Sequence, residues 1–169
     1  MTPHPKIEAQ TRIASPLGLL LATATAHGLA GLWFDAQQHH PGTLNVPDTP
    51  HHPHLQAAAQ ALALYFDGQP PPAVALDLHG TPFQCAVWQA LLAIGHGRTS
   101  TYAEVAASVG RPAAVRAAGA AIGRNPVGIL VPCHRVLGRD GSLTGYAGGL
   151  QRKQALLQLE GAQRSILAA

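Results

Sequence analysis

The sequence predicts an α+β protein, with a small N-terminal sheet-and-helix domain followed by a C-terminal domain built on a helix-turn-helix. Three observations predict it. Residues Gln10 to Asp35 hold short β-rich runs separated by turn signals. From Thr81 onward, helix starts and glycine stops alternate at short intervals. The pattern changes near His79-Gly80, so domains are expected over 1–79 and 80–169.

Each element has its own reason. Thr11-Arg12-Ile13-Ala14 runs into the turn signal Ser15-Pro16-Leu17-Gly18. Leu19 to Thr25 is β-rich, His27-Gly28 turns the chain, and Leu29 to Phe34 returns. Residues 35–53 form a loop rich in Pro, Gly and His, with His39, His40, His51, His52 and His54 in or beside it. The i,i+4 spacing that aims two imidazoles at one ion is missing, so no metal site is expected there. Leu55, Ala58, Ala59, Leu62, Tyr65 and Phe66 recur at helical spacing up to the stop at Gly68. The stiff Gln69-Pro70-Pro71-Pro72 leads to an edge strand at Val74 to Leu78.

Thr81-Pro82 opens a helix as an N-cap residue with proline at N1, and Phe83, Val87, Trp88, Leu91 and Leu92 share its apolar face. Thr101 with Glu104 makes a capping box for a short helix to Val109, which Gly110 stops. Pro112 is expected to start the next helix, Ala113 to Gly123. Two short helices joined at Gly110-Arg111 are the pattern of a helix-turn-helix. The second helix is nearly all alanine around one long cation, Arg116, and lacks the polar side chains that read base edges in the major groove. Composition fits two readings: a close minor-groove approach with one projecting arginine, or a packed core helix with an incidental one. A last helix runs from Gly149 to Gly161, with Leu150, Leu156, Leu157 and Leu159 expected inward and Glu160 near its end.

Composition narrows the function classes. The chain has 169 residues, 47% hydrophobic and only 11% charged, with a net charge of +3. That balance permits an anionic partner without demonstrating one. Two cysteines, Cys85 and Cys133, are too few for a disulfide framework and have no zinc-finger spacing. Cys85 lies in a helical apolar pattern and reads as a buried small hydrophobe. No stretch is apolar enough to span a membrane and the polar start is no signal peptide, so a cytoplasmic protein without membrane contact is expected.

The chemistry gathers at Asn125-Pro126-Val127-Gly128-Ile129-Leu130-Val131-Pro132-Cys133-His134-Arg135-Val136. An apolar run stops at Pro132, which fixes its own φ and keeps Val131 extended, so Cys133 stands at a change of chain direction. A nucleophilic cysteine needs a base and something to hold that base. His134 is adjacent, Glu160 is the only carboxylate of the last helix, and Asn125 can brace the bend. A Cys–His–Glu relay is one reading, and an inert buried cysteine is the other.

Pro132-Cys133-His134-Arg135-Val136 resembles the active-site motif of the O6-alkylguanine-DNA alkyltransferases, the methylated-DNA–protein-cysteine methyltransferases. The resemblance spans about Pro82 to Gly161. It also rests on Tyr102, Arg116, Asn125-Pro126, Gly145-Tyr146-Ala147-Gly148-Gly149 and Glu160-Gly161, all in order. It implies a winged-helix-like C-terminal domain that binds the minor groove of double-stranded DNA without sequence preference and flips out a guanine alkylated at O6, possibly also O4-alkylthymine. The alkyl group would pass irreversibly to Cys133, one per protein, without a cofactor. By the same resemblance His134 and Glu160 would deprotonate the thiol through a water. Asn125 would brace the turn, and Tyr102 would assist flipping and protonate the leaving guanine. Carbonyls of Cys133 and Val136 would accept from the guanine amine, beside Tyr146 and Ala147. Arg116 would fill the gap in the duplex, with Ala103, Arg111 and Arg139 facing DNA. A monomer with no obligate protein partner is implied. Some animal members hold a zinc partly through cysteines, which the first half of this chain lacks. Related alkyltransferase-like proteins carry tryptophan in place of the cysteine, so Cys133 argues against that group. The rival from another class is a non-catalytic lesion-binding helix-turn-helix module.

Overall fold

The computed structural model describes residues 4–162, which divide into two compact units at the His79–Gly80 junction. In the first, strands β1 (Ala9–Ile13), β2 (Leu20–Ala24) and β3 (Leu29–Phe34) make an antiparallel sheet in that order. The Ser15 hydroxyl accepts from the Leu17 N–H, and the Ser15 carbonyl from that of Gly18, which closes the first turn. Every residue of β2 is buried. Helix α1 (Pro53–Phe66) packs on the sheet through Leu55, Ala58, Ala61, Leu62 and Tyr65. Each leucine buried there contributes about 1.5–3 kcal/mol. His52 caps α1, its Nδ1 accepting from the His54 N–H at 3.3 Å, so one of the clustered histidines serves as a helix cap.

The expected edge strand at Val74 to Leu78 shortens to a single bridge. The Leu29 N–H donates to the Ala75 carbonyl and the Asp77 N–H to the Leu29 carbonyl. The preceding prolines have no N–H to extend a ladder. Gly28 lets this segment approach, since a Cβ there would lie 2.8 Å from the Leu76 carbonyl carbon. Thr25 Oγ donates to Asp77 Oδ2 at 2.5 Å and His79 Nε2 stands 2.8 Å from Oδ1. Burial pushes the Asp77 carboxyl up, but these two partners outweigh it and hold it below the usual range.

In the second unit, Thr81 opens α2 (Pro82–Leu92) with a capping box through Gln84, and Thr101 opens α3 (Tyr102–Ser108) with one through Glu104. Gly110, at φ +73°, turns the chain towards α4. Helix α4 spans Val115–Gly123 and so starts later than expected from Pro112. Residues 111–114 form a turn in which the Ala114 N–H donates to the Arg111 carbonyl. Helices α2, α3 and α4 pack together, and Trp88 Nε1 donates to the Ala121 carbonyl at 2.8 Å. Cys133–Arg135 form a 3-10 turn. A two-residue parallel ladder follows, β4 (Ser100–Thr101) on β5 (Val136–Leu137), and it sets the start of α3 beside the segment leaving Cys133.

Helix α5 (Leu150–Leu159) closes the described chain. Its buried face is Lys153, Leu156, Leu157 and, at the C-cap, Glu160. Leu150 and Leu159, expected inward, are 47% and 36% exposed. The i, i+3, i+4, i+7 row has only one phase, and 153-156-157-160 occupies it.

Candidate active site

The cysteine is held by a tight loop. Asn125 Oδ1 accepts from the Val127 N–H at 3.0 Å while Nδ2 donates to the Val131 carbonyl at 2.7 Å, so one amide ties both ends of the apolar run. Val131 closes the loop again by donating to the Val127 carbonyl. Inside it Ile129 is buried at φ +68°. For a β-branched residue that conformation costs about 1–3 kcal/mol, and it persists only because its surroundings enforce it. Pro132 then aims the chain into the 3-10 turn that Cys133 begins.

Cys133 is 8% exposed. Burial pushes its thiol up. The Asn125 amide, the Lys153 charge and the N–H groups of Cys133 and His134 pull the other way without overcoming it. At neutral pH the resting group is therefore a thiol.

Behind it lies a closed polar cluster. Glu160, fully buried as a side chain, accepts from at least four donors among the described residues. They include His134 Nε2 at 2.6 Å, Arg135 Nε at 2.8 Å, Arg135 Nη2 at 3.0 Å and the Gly97 N–H at 3.2 Å. Arg135 Nη1 also donates to the Ile94 carbonyl. Burial opposes the Glu160 charge, but His134 and Arg135 hold its carboxyl far below the usual range. Burial pushes His134 down, with the Arg135 and Lys153 charges adding to it and Glu160 opposing. His134 and Glu160 stand at ion-pair distance, yet the imidazole is neutral. A carboxylate can only accept, so the His134 proton sits on Nε2 and Nδ1 carries the basic lone pair.

Two groups of this site escaped sequence reasoning. The motif contains Arg135 without revealing that it neutralises Glu160. Nothing in the motifs marks Lys153, which is fully buried. Its Nζ donates to the carbonyls of Val136 (2.6 Å), Thr144 (2.7 Å) and Gly145 (3.2 Å). The signal that could have found it is its place in the inward row of α5.

The other expected residues fall in two groups. Tyr102, half-buried at the start of α3, donates its hydroxyl to the Thr144 carbonyl at 3.1 Å. The Val136 carbonyl already accepts from Lys153 and the Cys133 carbonyl from the Val136 N–H, which leaves each one further lone pair. Tyr146 and Ala147 are half-buried, and burial with the nearby Cys133 pushes the Tyr146 phenol well up. Ala103, Arg111, Arg116 and Arg139 are all exposed. Helix α4 satisfies both readings of its composition: Ala118, Ala121 and Ile122 are buried while Arg116, Ala117 and Ala120 face solvent. Arg116 makes no hydrogen bond or ion pair with any described residue. Cys85 is half-buried, not fully buried, with Sγ 3.7 Å from the Gly80 carbonyl.

Among the described residues no group of three His, Cys, Asp or Glu side chains could hold a metal ion. A cavity of about 370 Å3 in the first unit, with Gln10, Arg12, His40 and Asp48 in its wall, contains no cysteine. Nor is any helix among the described residues long and apolar enough to cross a membrane. The chemistry the molecule offers is thus a buried thiol, a neutral imidazole base and a carboxylate that fixes the base's tautomer.

A family model described as the DNA binding domain of 6-O-methylguanine DNA methyltransferase matches residues 82–162. The methylated-DNA–protein-cysteine methyltransferase of Mycobacterium tuberculosis H37Rv is 46% identical over 151 residues, 88% of this chain and 89% of the relative. The inducible enzyme of that name from Bacillus subtilis is 45% identical over 150 residues, 88% of this chain and 82% of its own. A crystal structure of Mycobacterium tuberculosis OGT in complex with DNA matches with a TM-score of 0.82 at 43% identity, covering 92% of this chain and 94% of that one.

Proposed function

This chain belongs to the methylated-DNA–protein-cysteine methyltransferases, and we propose that Cys133 is the residue on which it takes the alkyl group. Its activity is direct-reversal DNA repair, transfer of an alkyl group from O6-alkylguanine in DNA to a cysteine of the protein. The observation that carries the assignment of Cys133 is that His134 and Arg135, which follow it in the 3-10 turn, form a buried cluster with Glu160. Cys85 has no comparable base in sequence, and its Sγ faces the Gly80 carbonyl.

The step is a displacement at the alkyl carbon. The Cys133 sulfur forms the new S–C bond as the O6–C bond breaks. The thiol proton goes to His134 Nδ1 through a bound water, and Glu160 accommodates the imidazolium that results. Tyr102 gives a proton to the departing guanine, which would otherwise leave as an anion. To do so its hydroxyl turns from Thr144 to the base. Free lone pairs on the Cys133 and Val136 carbonyls accept from the guanine amine, with Tyr146 and Ala147 lining the pocket. Asn125 holds the loop that aims the sulfur. The exposed alanine face of α4 lies in the minor groove, with Ala103, Arg111 and Arg139 towards DNA and Arg116 in the space of the flipped base. The protein works as a monomer in the cytoplasm, without a cofactor or an obligate protein partner.

The test is mass spectrometry of the intact protein and its peptides after incubation with an O6-methylguanine duplex. One methyl, confined to the peptide containing Cys133 and saturating at one per protein, is expected. Methyl on Cys85, or no mass gain while the lesion is still bound, would overturn the assignment.

A further inference from the structure

Lysine is almost never fully buried unless it is paired, and Lys153 is fully buried. The carboxylate of the neighbourhood, Glu160, is taken up by His134 and Arg135. Lys153 instead spends its three N–H groups on three main-chain carbonyls from two segments. Val136 belongs to the strand leaving the cysteine, and Thr144 and Gly145 open the glycine-rich loop. An uncharged side chain of similar length would fill the space without the cost of desolvating a cation.

The Thr144 carbonyl is the informative partner. Its oxygen accepts from Lys153 Nζ at 2.7 Å and from the Tyr102 hydroxyl at 3.1 Å, so both lone pairs are in use. Nζ also lies 6.0 Å from the centre of the Tyr102 ring. Gly119 of α4 supports the ring from another side, where a Cβ would meet it at 3.6 Å.

We propose that Lys153 is a positioning residue for alkyl transfer, which pins the Thr144–Gly145 segment to Val136 and, through the shared Thr144 carbonyl, sets where the Tyr102 hydroxyl stands. This rests on Tyr102 as the proton donor to guanine. The tie is also sensitive to pH. Burial brings the Lys153 ammonium down to about 8, with Cys133 opposing. Above that pH the amine has two N–H groups for three carbonyls. Near its Nζ are the Tyr102 ring on α3 and, in the 3-10 turn, Cys133 and His134. Tyr146 follows Gly145 in the glycine-rich loop, and Arg152 on α5 and Glu160 at its C-cap complete the titratable groups of these elements.

The experiment is a double-mutant cycle on the full chain. The rate of benzyl transfer from free O6-benzylguanine to Cys133 is measured between pH 6 and 9 for the wild type, Lys153→Met, Tyr102→Phe and the double variant. Lys153→Met is expected to slow transfer by up to about a hundredfold, the effect of misplacing a catalytic group by an ångström. In the Tyr102→Phe background the same change should cost clearly less, since the group it positions is gone and only the Lys153 charge beside the thiolate is lost. The wild-type rate should decline above pH 8, and Lys153→Met should lack that decline. Losses that multiply independently, or a decline that survives in Lys153→Met, would overturn the proposal. If Lys153→Met does not fold, Lys153→Gln, with two donors and no charge, takes its place in the same cycle. A wild-type protein that takes no benzyl group on Cys133 would refute the assignment of the acceptor instead.

Discussion

Replacing Glu160 by glutamine tests the buried cluster most directly. Each carboxylate oxygen accepts two donors: His134 Nε2 and Arg135 Nη2 at Oε1, Arg135 Nε and the Gly97 N–H at Oε2. An amide keeps one oxygen. With its NH2 towards Arg135 Nε and the Gly97 N–H, two contacts become donor facing donor. With its NH2 the other way, it opposes Arg135 Nη2 and drives His134 to the tautomer that has no lone pair on Nδ1. The buried Arg135 guanidinium also loses its counter-charge. Breaking a buried pair from one side costs about 3–5 kcal/mol. In a chain of this size that is a fall in Tm of about 6–20 °C. Transfer to Cys133 should fall by about a hundredfold or more, since the imidazolium formed by proton transfer has no anion beside it. Urea unfolding at pH 7 and single-turnover benzyl transfer below the variant's melting range read the two effects separately. Destabilisation under about 1 kcal/mol, the worth of an exposed pair, would refute the reasoning from burial. An unchanged transfer rate would remove Glu160 from the relay.

Other expectations follow from the same geometry. His134 is held neutral and Glu160 ionised, so on acidification the unfolded chain takes up protons before the folded one does. Stability should fall from about pH 6.5 through His134 and further below about 4.5 through Glu160, at up to ~1.4 kcal/mol per pH unit per proton. Urea midpoints from pH 8 to 4 check this, and Glu160→Gln should flatten the lower part. Arg116→Ala should change stability by less than about 0.5 kcal/mol, because the side chain is exposed. It should slow repair of duplex DNA about tenfold for each ~1.4 kcal/mol it contributes to the flipped state, and leave transfer from free O6-benzylguanine unchanged. Equal losses on both substrates would remove that role. Gly28→Ala brings a Cβ within 2.9 Å of the Ala75 and Leu76 main chain. It should cost about 1–3 kcal/mol in urea unfolding without altering transfer by the other unit.

Local rules made much of the molecule legible. Thr81 and Thr101 announce their helices because a cap is a contact between residues three apart. Cys133, His134 and Asn125 fall within one short motif, where proline and an amide dictate the bend. Glu160 could be reached as the sole carboxylate of the last helix. Arg135 and Lys153 could not, for a common physical reason. Apolar periodicity treats a charged side chain as outward, and these two are inward because main-chain carbonyls and a buried carboxylate satisfy them. The same assumption turned Leu150 and Leu159 inward: counting leucines alone puts the row of α5 in the wrong phase. The β4–β5 ladder has two residues per strand, too few to leave an alternation in the sequence. Yet it carries Tyr102 to the strand leaving the cysteine.

A buried thiol held as a thiol looks like a poor nucleophile, and the arrangement of charge shows why it need not be. At rest the cluster holds one carboxylate and one guanidinium paired with each other, a neutral imidazole and a neutral sulfur. In the proposed relay, proton transfer from Cys133 to His134 creates two charges at once, and each has a partner in place. The imidazolium meets Glu160, while the thiolate meets the Asn125 amide, two main-chain N–H groups and the Lys153 charge. These groups favour the charged state without making it the resting one. The product is a thioether, with no acyl carbon for water to attack and no charge left on sulfur. The proton on His134 passes through solvent to the Tyr102 phenolate left by protonating guanine, which restores the cluster around an alkylated residue, and nothing in the proposed chemistry drives the S–C bond to break. A site built this way acts once.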